Sequence, residues 1–101
     1  MVASLIPPTI TVIRPQGYLK DRKAQEFERD MIFVLTDSVN RSLFVNLELV
    51  ESIDSVGLRA LVSAMKLADD LGRNFRICAI SSTVRMILEL TQLDAILSRC
   101  E

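Results

Sequence analysis

One segment concentrates the residues able to do chemistry: Asn46-Leu-Glu-Leu-Val-Glu-Ser-Ile-Asp54-Ser55-Val56-Gly57-Leu58-Arg59. An apolar run leads into it and a helical pattern leads out, so Asp54, Ser55 and Gly57 fall in a first helical turn. Helix starts present unpaired N–H groups and partial positive charge, which favour a carboxylate or a phosphorylated side chain. Gly57 has no Cβ, so another surface can approach the backbone closely there. The plainer reading makes Asp54 or Ser55 an ordinary N-cap, worth ~1 kcal/mol, with Gly57 incidental. Glu48, Glu51 and Asp54 could be taken for an acid–base or Mg²⁺ site. No close acidic pair follows the first strand, where Pro15-Gln16-Gly17 stands, and the three read as solvated loop charges.

The rest of the inventory excludes more than it suggests. The 101 residues contain no histidine, which removes Ser-His-Asp and Cys-His catalysis and His-bearing zinc sites. No enzyme, metal or cofactor is expected. Cys78 and Cys100 lack CxxC spacing and read as reduced thiols, Cys78 buried in mid-strand and Cys100 accessible near the terminus. Twelve Lys+Arg against thirteen Asp+Glu give a net charge of −1, too little basic surface for nucleic acid or an anionic membrane. Arg14, Lys20, Arg22 and Lys23 cluster as a solvated face that would also suit an acidic partner. With four Phe, one Tyr and no Trp, single-strand nucleic-acid stacking is disfavoured, and Phe27 and Phe33 read as core. The opening Met-Val-Ala-Ser-Leu-Ile-Pro-Pro lacks the basic start and the apolar core of about 7–15 residues that a signal peptide needs. The longest apolar run, residues 31–35, cannot span a bilayer core of ~30 Å. The expectation is a cytoplasmic, soluble chain with no direct membrane insertion.

The elements that must position the segment follow from periodicity. At 50% hydrophobic and 25% charged, a chain of this length supports one domain over residues 1–101. Thr9-Ile-Thr-Val-Ile13 is β-branched and reads as a strand ended by Pro15-Gln16-Gly17. Residues 22–39 carry Ala24, Phe27, Met31, Val34 and Leu35 at helical spacing, with charged residues between them. Residues 42–47 form a strand apolar enough to be buried on both faces. Residues 54–71 form a second helix, with Leu58, Leu61, Val62, Met65 and Ala68 as its core stripe. Arg59, Ser63, Lys66 and Asp70 face outward, and Gly72 closes the helix. Asp69 and Asp70 sit badly against the dipole at that end. Residues 74–80 form a third strand. Ser81 or Ser82 caps a last helix reaching Leu93, with Val84, Ile87, Leu88 and Thr91 on one side. Residues 97–100 add a short edge strand or fray. The class is α/β.

The segment from Asn46 is similar to the signature of the STAS domain, named for sulphate transporters and anti-sigma factor antagonists. The signature is a strand ending in Asp-Leu, an apolar residue, and then Ile-Asp-Ser-Ser/Ala-Gly-Leu opening a helix. Here it reads Asn46-Leu47, Val50, and Ile53-Asp54-Ser55-Val56-Gly57-Leu58. Gly17-Tyr18-Leu19 resembles the family's Gly-x-Leu-Asp turn, and residues 72–80 its later Gly-Arg-x-Phe/Leu strand. The resemblance covers nearly the whole chain. It implies a small mixed β-sheet with three main helices packed against it. It also implies a regulatory module that binds a serine kinase acting as an anti-sigma factor and is released when that kinase phosphorylates it. The family's phosphoacceptor lies two residues after the motif Asp, and that position is Val56, which has no hydroxyl. Lys20 stands where the turn's Asp belongs, with Asp21 one place on. Ser55 is the nearest hydroxyl that could take phosphate, about 100° around the helix from position 56. The expected docking surface is Tyr18, Lys20, Ser55, Val56, Gly57, Arg59 and Ser63, with the phosphoswitch absent or displaced. The alternative is a soluble accessory subunit of a membrane lipid or anion transporter.

Overall fold

The computed structural model describes residues 9–37, 40–97 and 99. In chain order the elements are β1 (Thr9–Ile13), β2 (Gly17–Leu19), α1 (Asp21–Thr36), β3 (Asn40–Leu47) and β4 (Val50–Ile53). They continue with α2 (Ser55–Leu71), β5 (Asn74–Ile80), α3 (Ser82–Leu90) and α4 (Asp94–Leu97). Strands β1, β3 and β5 form one sheet in the order β1-β3-β5, and β2 pairs with β4 in a second. Every described pairing is parallel, so each pair is bridged by a crossover that carries a helix. The layered α/β arrangement is the expected one, with the strands divided between two small sheets.

The core explains the layering. Helix α1 buries Ala24, Phe27, Met31 and Leu35, one stripe at helical spacing. Helix α2 buries Leu61, Met65 and Ala68 from the expected stripe, while Leu58 and Val62 are only half-buried. Gly57, Ala60 and Ala64 complete its buried face, and α1 and α2 pack against each other. Leu43, Val45 and Leu47 of β3 and Phe75 and Ile77 of β5 meet the helices in one continuous hydrophobic cluster.

The helix ends are closed by the residues expected of them. Gly72 adopts the left-handed conformation (φ 67°) past the end of α2, and Arg73 N–H donates to Ala68 O at 2.8 Å. Ser81 caps α3 by accepting from Val84 N–H. Asp69 finds its compensation in Arg99, whose Nη2 reaches both carboxylate oxygens at 2.9 Å. Ile77 N–H donates to the Arg99 carbonyl at 2.9 Å and Ile96 is fully buried, so the end of the described chain is held against α2 and β5.

Several expectations are corrected. A strand stands at residues 17–19 where a turn was expected, and another at 50–53 where a loop was expected. Helix α3 stops at Leu90 and residues 94–97 form a helical turn, while the edge strand or frayed end expected over residues 97–100 falls partly outside the described residues. Phe33 is 73% exposed: it lies two residues, roughly 200°, from Met31 and so faces away from the core. Cys78 is half-buried, on the strand face opposite Ile77, and Cys100 lies outside the described residues. Among the described residues no helix is long and apolar enough to cross a membrane.

Candidate partner-binding site at two helix starts

Strands β2 and β4 run side by side with Leu19 opposite Ile53, and each leads directly into a helix. The starts of α1 and α2 therefore emerge together at one end of the small sheet. Asp54 ties them. Its N–H donates to Leu19 O at 3.3 Å, continuing the strand ladder by one step. Its Oδ1 accepts from Gly57 N–H at 3.0 Å, capping α2. Its Oδ2 accepts from Asp21 N–H at 3.1 Å, taking up the first free donor of α1. Helix α1 needs this help, because Lys20 provides no side-chain cap and Asp21 sits at φ 49°, where a non-glycine residue is strained. The Gly57 N–H, with further help from the Asp21 and Val56 amides, holds the Asp54 carboxyl below its ordinary pKa, while partial desolvation pulls the other way.

Gly57 does something different from what its position suggested. It is buried, and a Cβ built on it would lie 2.6 Å from Ile53 Cγ1 and 2.9 Å from the Leu19 carbonyl oxygen. The close approach it permits is intramolecular: α2 against β2 and β4. The residues around it are the ones that reach the surface. Ser55, at the first position of α2, is exposed, as is Arg59 one turn on; Ser63, a further turn along, is half-buried. Val56 is half-buried against the core. Tyr18 is 60% exposed on β2, and Lys20 Nζ lies 5.6 Å from its ring centroid, a cation–π contact that fixes the charge beside the ring. Lys23 is turned away, its ammonium donating to the Gln16 carbonyl.

The fold thus brings Tyr18, Lys20, Ser55, Val56 and Arg59 to one end of the molecule, with Ser63 ~12 Å from Ser55 along α2. Two cations, an aromatic ring and an exposed hydroxyl are offered there, around a carboxylate already committed to backbone donors. That is recognition chemistry. Among the described residues no group of three or more His, Cys, Asp or Glu is placed to hold a metal. Sequence reasoning missed the Leu19 carbonyl and the Asp21 amide, both backbone groups brought to residues 54 and 57 from more than thirty positions away. No local signal marks them.

A family model for the STAS domain matches residues 2–101. Among solved structures, the unphosphorylated form of the Bacillus anti-sigma factor antagonist SpoIIAA superposes with a TM-score of 0.77 at 17% identity, over 95% of this chain and 81% of that one. An anti-sigma factor antagonist from Mycobacterium paratuberculosis gives 0.71 at 28% identity, over 85% and 72%. The STAS domain of a SulP transporter from Vibrio cholerae gives 0.68 at 20% identity, over 94% and 74%.

Proposed function

The chain belongs to the STAS domain family, and on that premise we propose that it is a regulatory binding module of the anti-sigma factor antagonist type. It docks on a serine kinase that acts as an anti-sigma factor, using the two helix starts joined by Asp54. Tyr18, Lys20, Ser55, Val56, Arg59 and Ser63 make the contact, and Gly57 shapes the surface from beneath. The observation that carries this reading is the exposed face of Ser55 and Arg59 set beside Tyr18 and Lys20 by one carboxylate. The 28% identical mycobacterial antagonist supports the same assignment. It is not an enzyme, takes no cofactor, and works in the cytoplasm as a single domain over residues 1–101. Because position 56 is valine, binding is governed by protein amounts or by the partner's state instead of phosphate at that position.

Arg59→Glu tests the surface. An exposed helix position contributes little to folding, so stability should stay within about 0.5 kcal/mol of wild type. Partner affinity should fall about tenfold or more, since a reversed charge at a contact must be desolvated unpaired. Unchanged affinity would move the interface elsewhere. Capture of the partner with mass spectrometry decides between two readings. A serine kinase supports the first. A transporter ATPase would support the second, a soluble accessory subunit of a membrane lipid or anion transporter, for which the fold likeness to a SulP transporter domain speaks.

A further inference from the structure

A second surface lies outside the α2 face. The β3–β4 turn and the start of α3 enclose a groove of about 490 Å³ lined by Glu48, Leu49, Val50, Glu51, Ser81 and Thr83. Its walls are held in place. Glu48 N–H donates to Asn46 Oδ1 at 3.0 Å, fixing the turn. Ser81 Oγ donates to Val50 O at 2.8 Å while accepting from Val84 N–H at 3.3 Å, which pins the start of α3 to β4. From Thr83 an apolar flank continues along α3. Thr83, Met86 and Leu90 follow at i, i+3 and i+7, on one side of the helix. Met86 is 53% exposed, Leu90 76%, and Leu49 at the groove itself 45%. Arg85 lies roughly 100° around the helix from Met86, and Glu89 about 60° from it on the same flank. Among the described residues Met86 and Leu90 are therefore an exposed apolar pair, ~6 Å apart along α3, which Thr83 joins to a groove whose charged lining residues are two carboxylates, Glu48 and Glu51.

We propose that this groove and the α3 flank take a basic amphipathic segment of a protein partner. Its apolar side chains would cover Leu49, Met86 and Leu90, and its Lys or Arg side chains would meet Glu48 and Glu51. Charge decides the occupant. An acidic segment would bring like charges together at the groove, and a purely apolar one would leave two carboxylates facing it unpaired. The groove stands apart from the Lys20 and Arg59 surface, whose exposed cations select an acidic contact, so this inference holds whether or not the kinase reading does.

The test uses a synthetic amphipathic peptide of Leu and Lys, about 14 residues or ~21 Å as a helix, and its Leu/Glu twin. Amide chemical-shift mapping and fluorescence anisotropy follow each on the full chain. The Leu/Lys peptide should bind saturably, with shifts confined to residues 48–51 and 81–90. Glu51→Lys and Met86→Ser, both at exposed positions, should keep native spectra and weaken it about tenfold. Arg59→Glu should leave this binding unchanged, which separates the groove from the α2 surface. Equal binding of the Leu/Glu twin, shifts elsewhere, or full affinity in Glu51→Lys would overturn the proposal. So would self-association of the chain that Met86→Ser abolishes, because the groove's occupant would then be a second copy.

Discussion

Gly57→Ala is expected to lower the melting temperature by roughly 10 °C, the reverse of what this substitution does in an ordinary helix. Alanine usually gains up to ~1 kcal/mol over glycine in a helix interior. Here the added methyl would meet Ile53 Cγ1 at 2.6 Å and the Leu19 carbonyl oxygen at 2.9 Å. The Ile53 side chain can rotate, but the Leu19 oxygen is backbone in a strand pair and can yield only by moving β2. Overpacking of this kind costs about 1–3 kcal/mol, and the helix gain offsets only part of it. Thermal unfolding of the variant checks the point. A melting temperature at or above wild type would mean that α2 has room to shift and that Gly57 is there for a partner after all.

Asp54→Asn is expected to show the second large effect, a fall in melting temperature on the order of 5 °C with faster amide exchange at Asp21 or at Gly57, whichever loses its acceptor. An amide side chain has one oxygen, so it satisfies one of the two helix starts and turns an N–H₂ group toward the other. The pH dependence gives the effect a signature. The folded-state pKa of Asp54 is depressed, chiefly by the Gly57 N–H. Its contribution to stability is complete above the unfolded-chain pKa and is lost as pH falls through the lower folded value. The gap between wild type and Asp54→Asn should therefore be full at about pH 7, begin to narrow near about pH 4 and close only below the depressed folded-state value. A gap independent of pH would assign the loss to shape alone. Unchanged exchange at both amides would show that the carboxylate does not hold the two helix starts.

How much of this was legible depends on how local each feature is. Helices α1 and α2 are long, with apolar residues at a clear period, and strand β5 is a compact apolar run closed by Gly72 on one side and Ser81 on the other. These were readable from composition and spacing. Strands β2 and β4 were not, because three or four residues carry no alternation of their own and each exists by pairing with the other across the chain. The role of Gly57 was hidden for the same reason: it depends on where Leu19 comes to rest. Phe33 is a different case. The stripe through Met31 already placed it on the outer face, and judging it by residue type in place of helical phase produced the error. The acidic residues at the end of α2 looked misplaced until Arg99 supplied the partner for Asp69.

On the proposed function, the α2 start is the docking surface and carries no phosphoacceptor at position 56. Wild type and Val56→Ser, each incubated with the serine kinase the chain captures and with ATP, test it when phosphate is located by mass spectrometry and partner release is followed alongside. A phosphoryl group adds a charge of about −1.5 to −2 and three acceptor oxygens, which a docked surface must desolvate or expel. Phosphate is expected at position 56 in the variant alone, with release of the partner, while wild type stays unmodified and bound. Efficient phosphorylation of Ser55 in wild type, with release of the partner, would contradict that reading.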